Sequence, residues 1–287
     1  MDERDWRILS ILHKEKNITK TAQDLYISQP ALTARIQQIE KYFDVTIVNR
    51  NRKGVSFTTE GEYLAQEAEH MLSEFKGIKE HVLNLGTRMS GVLSIGASGY
   101  LTMFTIPKVL KKFKTQYPDI DFQVVTTWSR DVTKLVEDQK VHVGFTSADY
   151  GGCVEKYVLC DEPICIASMA LFSLEELPNI PRIDYKTDTL VKLQIDQWWR
   201  DHFSIPSKTV MQVDRLTTCR EMIKAGLGYG IVPAHIMRDT QGIRMYYLRD
   251  RNGAYIYRKS YLLYKKNVLE LQIAKVFIDF MKAYDFK

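Results

Sequence analysis

Asn17-Ile-Thr-Lys-Thr-Ala-Gln-Asp-Leu-Tyr-Ile-Ser28-Gln-Pro30-Ala-Leu-Thr-Ala-Arg-Ile-Gln-Gln-Ile-Glu40 reads as two short helices joined by a tight turn. Ser28 can cap the second helix by accepting a bond from a first-turn amide, and Pro30 falls where a missing N–H costs nothing. Leu32, Ile36, Ile39 and Phe43 recur in steps of four, three and four and mark one buried face. Gln29, Pro30, Thr33, Ala34 and Gln37 then point outward. This face is small, uncharged and rich in amide and hydroxyl groups, whereas a solvated helix usually displays Lys and Glu. Gln can pair two-pronged with adenine, and Thr and Ala can touch a thymine methyl, so the face could read base edges. An ordinary helical hairpin with a sparse surface fits the same residue types.

Around this pair, the segment from Glu3 to Lys16 carries a stripe of Trp6, Leu9 and Leu12, widened by Ile8 and Ile11, and predicts a third helix. Val45–Val48 and Val55–Phe57 read as two short strands joined through Asn51-Arg52-Lys53-Gly54. The whole is a winged helix-turn-helix. Arg50, Arg52 and Lys53 cluster at the wing, where cations can neutralise phosphates and fix register. A solvated charged turn is the alternative.

The order Thr19, Ala22, Leu25, Ser28-Gln29-Pro30-Ala31-Leu32, Ile36, Ile39-Glu40, then Arg50, Thr58 and Gly61 resembles the N-terminal signature of LysR-type transcriptional regulators. The resemblance implies a bacterial, DNA-binding regulator of transcription that is not an enzyme. It implies an interrupted inverted repeat of double-stranded DNA as target, with the wing residue Arg50 at the DNA, and RNA polymerase as a further partner. Two positions depart from the family pattern. Thr33 stands where Ser is usual and keeps a hydroxyl; Ala34 stands where Arg or Lys is usual and removes a DNA contact, leaving Arg35 as the nearest cation. The expected DNA-binding set is Ser28, Gln29, Pro30, Thr33, Arg35, Gln37, Arg50, Arg52 and Lys53.

A capping box at Thr59-Glu60-Gly61-Glu62 opens a long helix. Leu64, Ala68, Met71, Phe75, Ile78, Val82 and Leu85 follow in unbroken steps of four and three, a coiled-coil period that predicts dimerisation. A long helix lying on its own domain is the other reading. Gly86 and Gly91 frame the linker that ends it.

From Val92 onward strands alternate with helices, which implies parallel sheets covered by helices. The first set has strands Val92–Ala97, Ile120–Val125 and Val141–Phe145, with helices marked by Ile106, Val109, Leu110 and Phe113 and by Val132–Glu137. The second has a strand near Cys165, helices near Leu174 and Trp198, strand Thr209–Val213, helix Thr217–Ala225 and strand Tyr229–Val232. Strand Ile256–Tyr264 and helix Leu269–Tyr284 close the chain. The expected fold is therefore α/β and multidomain: a winged helix-turn-helix over 1–60, a coiled-coil linker helix over 61–87, and a two-lobed α/β domain over 91–287. Lobe 1 takes about 91–161 plus 267–287 and lobe 2 about 162–266, a hinged pair resembling periplasmic binding proteins, with crossovers near Asp161 and Lys265. This is the effector-binding domain that the family resemblance implies, along with a dimer of dimers, a homotetramer. The run Ile223-Lys-Ala-Gly226-Leu-Gly228-Tyr-Gly230-Ile-Val-Pro233 also matches the family's second lobe; it is not a dinucleotide fingerprint, and Gly226 reads as a helix stop. His142 stands where the family usually has Asp.

In open α/β sheets ligands sit beyond the C-terminal strand ends. Ser98, Gly99 and Tyr100 follow the first strand, Thr127, Trp128 and Ser129 the second and Thr146 the third, while Thr217 and Thr218 open a helix of the second lobe. Their amides and hydroxyls could hold a small polar effector of anionic type, and Trp128 and Tyr100 could accommodate an aromatic ring. Each Ser or Thr could equally be a plain helix cap.

Composition sets limits on these readings. At 287 residues the chain is long enough for two or three domains, and its 45% hydrophobic content fits a globular protein. Net charge is +5, and residues 1–62 hold ten Lys or Arg against nine Asp or Glu, so any DNA affinity must come from local placement. No apolar run is long enough to span a bilayer, and the charged start from Asp2 to Arg7 has no signal-peptide core, which places the chain in the cytoplasm and off the membrane. Cys153, Cys160, Cys165 and Cys219 form no CxxC pair and have no His at ligand spacing, so neither a metal nor another cofactor is expected. No Gly-x-Ser-x-Gly and no phosphate loop supports an enzyme. A secreted solute-binding protein would explain two lobes but not the winged helix.

Overall fold

The computed structural model describes residues 1–51, 54–83 and 89–286, in two compact units, Met1–Thr87 and Arg88–Lys287. In the first unit α1 (Glu3–Glu15) starts at a capping box in which the Asp2 carboxylate accepts from the Arg4 and Asp5 amides while Asp5 accepts from the Asp2 amide. Asn17 caps α2 (Ile18–Asp24), and Ser28 caps α3 (Gln29–Phe43). Leu32, Ile36 and Ile39 are buried with Ile8, Leu9, Leu12, Ile18 and Ala22 in one core.

The wing pairs β1 (Val48–Asn51) antiparallel with β2 (Gly54–Phe57), Val48 opposite Phe57. The strand expected from Val45 starts three residues later. Glu40 explains the delay, because its Oε1 accepts both the Ile47 amide at 2.8 Å and the Val48 amide at 3.2 Å and ties the approach to α3 instead of to a partner strand.

Helix α4 (Thr59–Leu83) is capped one residue earlier than expected: Thr58 Oγ1 accepts the Gly61 amide at 2.9 Å and donates to Thr46 O at 2.6 Å. Glu62 does not complete a box; it meets His13 Nε2 at 2.5 Å, and Lys79 meets Glu3 at 2.8 Å. These two contacts run α4 antiparallel along α1, and Leu64 and Ala68 join the core of the unit. In the single chain α4 thus packs along its own domain. Of the expected dimer seam, Leu64 and Ala68 are buried within the domain, Met71 and Phe75 are half-buried, and Ile78 and Val82 stay 59% exposed. Leu85 lies outside the described residues.

The second unit opens with β3 (Gly91–Ser98), α5 (Gly99–Phe104), α6 (Ile106–Gln116), β4 (Ile120–Thr127), α7 (Ser129–Glu137) and β5 (Val143–Thr146). Next come β6 (Glu155–Ser168), β7 (Arg182–Tyr185), α8 (Thr189–His202), β8 (Thr209–Val213), α9 (Leu216–Lys224) and β9 (Gly230–Pro233). Last are β10 (Arg244–Tyr247), β11 (Tyr257–Tyr264) and α10 (Gln272–Ala283). The helix expected near Leu174 is a single 3-10 turn at Leu177–Asn179, broken by Pro178.

Parallel pairing holds for β3 with β4 and β5 and for β7 with β8, whereas β6 pairs antiparallel with β11, β9 and β10. The all-parallel expectation is thus corrected by β6, a strand of 14 residues that serves both lobes. Its first half lies in the β5–β11 sheet, and its second half carries β9 and β10. β11 runs back beside it from Tyr257 opposite Pro163 to Tyr264 opposite Glu155, so the return crossing lies along this strand and ahead of Lys265. α10 buries Phe277 and Met281 with Leu93, Ile95 and Phe113 in the first lobe. His142 fills the position of the family's Asp by accepting the Ser94 amide on Nδ1 at 3.1 Å, while its own amide donates to Ser94 O at 2.9 Å.

Two glycines of α4 give a direct test of this packing. A Cβ on Gly61 would sit 2.1 Å from Ile47 O, and one on Gly77 would meet nothing within 4 Å. Gly61→Ala should destabilise the first unit by about 1–3 kcal/mol through overpacking. Gly77→Ala should stabilise the helix by about 1 kcal/mol. Denaturant melts of the two variants should move in opposite directions; a neutral Gly61→Ala would refute the close approach of α4 to Ile47.

Candidate functional site

Two regions collect the expected functional residues, one in each unit. On α3, Ser28, Gln29, Pro30, Ala34 and Gln37 are exposed and Thr33 is half-buried, as a face opposite Leu32, Ile36 and Ile39 must be. The Ser28 hydroxyl accepts the Ala31 amide at 3.3 Å, so its first duty is to start the helix. Tyr26, at φ 55° in the turn before it, is 96% exposed.

Arg35 is placed differently from the expectation. Its guanidinium donates Nε to Asp5 Oδ1, Nη2 to Asp5 Oδ2 at 3.0 Å and to Asp2 Oδ2 at 3.1 Å, and Nη1 to Gln38 at 3.1 Å. Hydrogen bonding to Asp5, which is 2% exposed, pushes the guanidinium pKa further up. Arg35 is a strut between α3 and the capping box of α1, with its donors used inside the domain. At the wing, Arg50 lies opposite Val55; its side chain and the whole of Arg52 and Lys53 lie outside the described residues.

In the second unit the strand ends bring together part of the expected effector set. Ser98, at the end of β3, is buried with its Oγ 3.0 Å from Ser147 Oγ. The Ser147 amide donates to Ser129 Oγ at 3.1 Å, and Ser129 donates its own amide and hydroxyl to Asp188 at 3.2 and 2.7 Å. Thr146, next to Ser147, is buried with no partner on Oγ1. Gly99 begins the short helix α5, whose Tyr100 donates its hydroxyl to Glu162 Oε1 at 2.5 Å.

Other members stand apart. Thr127 bonds Asp131 at 3.2 Å, and Trp128 is 49% exposed. Thr217 and Thr218 are half-buried on the first turn of α9, with no bond to the serines named above.

Tyr100 leads to a second cluster that no motif announces. Glu162 on β6 takes Arg258 of β11 on Oε2 and His235 Nδ1 on Oε1, the latter at 2.6 Å, and the Arg258 guanidinium lies 3.6 Å from the centre of the Tyr100 ring. Burial pushes the Glu162 carboxyl up, but the His235 hydrogen bond, the Arg258 charge and Tyr100 together bring it down to about 2. Burial pushes the Tyr100 phenol well above its ordinary value. Phe104 of α5 packs on the second-lobe core and meets His235 edge-on at 5.3 Å. The cysteines play no visible part here: burial raises the Cys165 and Cys219 thiols to about 12, which disfavours the reactive thiolate.

Sequence reading missed Ser147, Asp188, Glu162, His235 and Arg258. Asp188 gives the best available signal, since an Asp before a helical pattern looks like a cap; what it binds is set by the tertiary fold.

An exposed amide-rich recognition face on a winged helix-turn-helix, joined in one chain to a two-lobed α/β domain with polar strand ends, defines a DNA-binding regulator with a ligand-sensing domain. Comparison with known proteins agrees with this class. The LysR substrate binding domain model matches residues 86–285, and the model of bacterial regulatory helix-turn-helix proteins of the lysR family matches residues 4–62. The chain belongs to the LysR-type family of transcriptional regulators. It is 37% identical over 283 residues to the uncharacterized HTH-type transcriptional regulator YraN of Bacillus subtilis (strain 168), covering 99% of this chain and 98% of that protein. YkuM of the same organism is 28% identical over 98% of this chain and 97% of its own length. In fold it resembles full-length CbnR complexed with its target DNA, with a TM-score of 0.67, 16% identity and 99% coverage of both chains. It also resembles the Vibrio cholerae virulence activator AphB, with a TM-score of 0.60, 17% identity and 99% coverage of both chains. No described helix is long and apolar enough to cross a membrane.

The Glu162 cluster makes stability depend on pH in a defined direction. A carboxyl whose folded pKa is about 2 against an ordinary 4.5 contributes stability that is fully present above pH 4.5 and lost as pH falls through about 2. Glu162→Gln should already be less stable at pH 7, because Arg258 is left buried without its charge partner. It should then lose less on acidification between pH 4.5 and 2 than the unaltered protein. Equal acid sensitivity in melts of the two proteins would show that Glu162 is not the group responsible.

Proposed function

We propose that this regulator reads its operator through Gln29, Pro30, Thr33 and Gln37, with the wing cations Arg50, Arg52 and Lys53 on phosphates, and that a small-molecule effector bound between the lobes controls it. The observation that carries the DNA reading is the exposure of an uncharged amide and hydroxyl face on α3, while Arg35, the cation nearest to it, is engaged within the domain. Base recognition then falls to groups that discriminate by hydrogen-bond pattern.

The DNA partner is an inverted repeat, since a two-fold symmetric protein binds a two-fold symmetric site. Dimerisation falls to the apolar residues of α4 left outside the domain core, Ile78 and Val82, with Met71 and Phe75 beside them. A dimer of dimers and contact with RNA polymerase complete the assembly, and the site of action is the cytoplasm.

The effector cleft is supported by Ser98, Ser129 and Thr146, polar groups buried at the ends of three strands. Gly99 and Tyr100 follow β3 and Thr127 and Trp128 end or follow β4, outside the buried serine cluster, and Thr217 and Thr218 stand on the second lobe. A ligand that bridges the lobes shifts their equilibrium by its differential affinity for the two arrangements. This sets what the DNA-binding units see.

Separate variants test the DNA and dimer readings. Gln29→Ala should cost about 1–3 kcal/mol on the specific operator and little on random DNA. Ile78→Asp should sediment as a smaller species and lose operator affinity while its wing and recognition face stay folded. Equal losses on both DNAs, or an unchanged mass, would each remove the corresponding assignment.

For the cleft, Ser98→Ala and Thr127→Ala should abolish the effector-dependent change in the DNA footprint and leave effector-free binding intact. A response unchanged in both variants would move the effector elsewhere.

A further inference from the structure

We propose that Asp188 is a built-in carboxylate that holds the two lobes closed from the anion seat at Ser129, and that the effector is an anion that takes its place. The proposal rests on the reading of the cleft as the effector site and names the chemistry and regulation of that site.

Asp188 stands at the N-cap of α8, where an Asp ordinarily accepts an amide of its own first turn. Here it makes no such bond. Its Oδ1 accepts the Ser129 amide at 3.2 Å and its Oδ2 accepts the Ser129 hydroxyl at 2.7 Å. Ser129 is the first residue of α7 and is fully buried. The carboxylate therefore lies at the positive ends of two helices, α7 of the first lobe and α8 of the second, each of which favours an anion there.

The seat offers donors only. Ser129 Oγ already accepts the Ser147 amide at 3.1 Å, which leaves its proton for Asp188. An amide N–H and a hydroxyl proton side by side demand an acceptor group of two oxygens, and a cation or an amine cannot satisfy them. Ser147 also meets Ser98 at 3.0 Å, so the seat is connected through two short bonds to a residue of the expected effector set. A free organic acid and the Asp188 side chain present the same group to Ser129. Occupancy by one excludes the other.

Chemical rescue of the full chain tests this without knowledge of the effector. Asp188→Ala removes a carboxyl group of the size of formate. Hydrogen exchange of the peptides that contain Ser129 and Ser147 should quicken about tenfold in this variant, the loss expected for a charge-assisted bond. Sodium formate should restore protection, while sodium chloride at the same ionic strength should not. Asp188→Asn, which keeps the shape and one acceptor, should lie between the two and guards against a folding defect in the Ala variant. In Ser129→Ala/Asp188→Ala formate should do nothing. Exchange unchanged by Asp188→Ala overturns the latch; formate and chloride acting alike, or formate acting equally without the Ser129 hydroxyl, overturns the anion seat. Because no effector is added, these failures are separate from an unchanged footprint response in Ser98→Ala and Thr127→Ala, which would count against the cleft itself.

Discussion

The pairing of β6 with β11 is the constraint on which the ligand-sensing half of the molecule depends, and the Glu162–Arg258 ion pair fixes its register. The two residues face each other in the ladder, Arg258 opposite Glu162, and both are buried. A slip of one residue would put the two side chains on opposite faces of the sheet and leave two charges without partners. Because β6 carries β11, and through it β5, on its first half and β9 and β10 on its second, this one register sets where both lobes begin. His235 and Tyr100 then close on the same carboxylate from the second and first lobes. The hinge is thus a charged cluster with fixed partners and not merely two lengths of strand.

An equivalent device organises the DNA-binding unit on a smaller scale. Asp2 and Asp5 cap α1 and also receive the Arg35 guanidinium from α3, so helix start and helix packing share the same carboxylates. Glu40 does similar double service at the other end of α3 by holding the Ile47 and Val48 amides. With α3 braced at both places by charged side chains, its outward face is free to be uncharged. That division of labour fits a helix that reads bases by hydrogen-bond pattern.

Much of this was legible in the sequence, and the limits have physical causes. The recognition helix announced itself because a 3.6-residue period, a Ser cap and a Pro in the first turn agree. The long helix was visible for the same reason, but a heptad pattern cannot say whether its apolar face meets a second chain or its own domain, and Leu64 and Ala68 chose the domain. β6 was seen only near Cys165 because its first half, Glu155 to Asp161, is mostly exposed and its short apolar run Tyr157–Cys160 is bracketed by charges, unlike the continuous run of a buried strand. Arg35 was read only as a DNA-binding cation because its carboxylate partners lie thirty residues and more away in sequence. In each case the residue type and period were readable, and what was missing was the partner. Partners of charged groups are chosen by tertiary contact, which single-sequence periodicity does not encode.

The same limit explains why the interlobe contacts bear on regulation. Beside the β6–β11 ladder, three side-chain contacts among the described residues join the lobes of the second unit: Phe104 in the second-lobe core, Tyr100 on Glu162, and Asp188 on Ser129. A ligand can shift the lobes only through a contact for which it has different affinity in the two arrangements. Phe104 offers an apolar contact with no polar handle. The Glu162 cluster is already charge-balanced by Arg258, so a charged ligand entering it would have to displace a buried partner at high cost. The Asp188 join differs from both, since its acceptor is a simple carboxylate and its donors belong to residues at the strand ends where ligands of α/β folds collect. Of the three, it is the join whose protein half has a direct small-molecule equivalent, and exchange there alters the link between lobes without breaking either core.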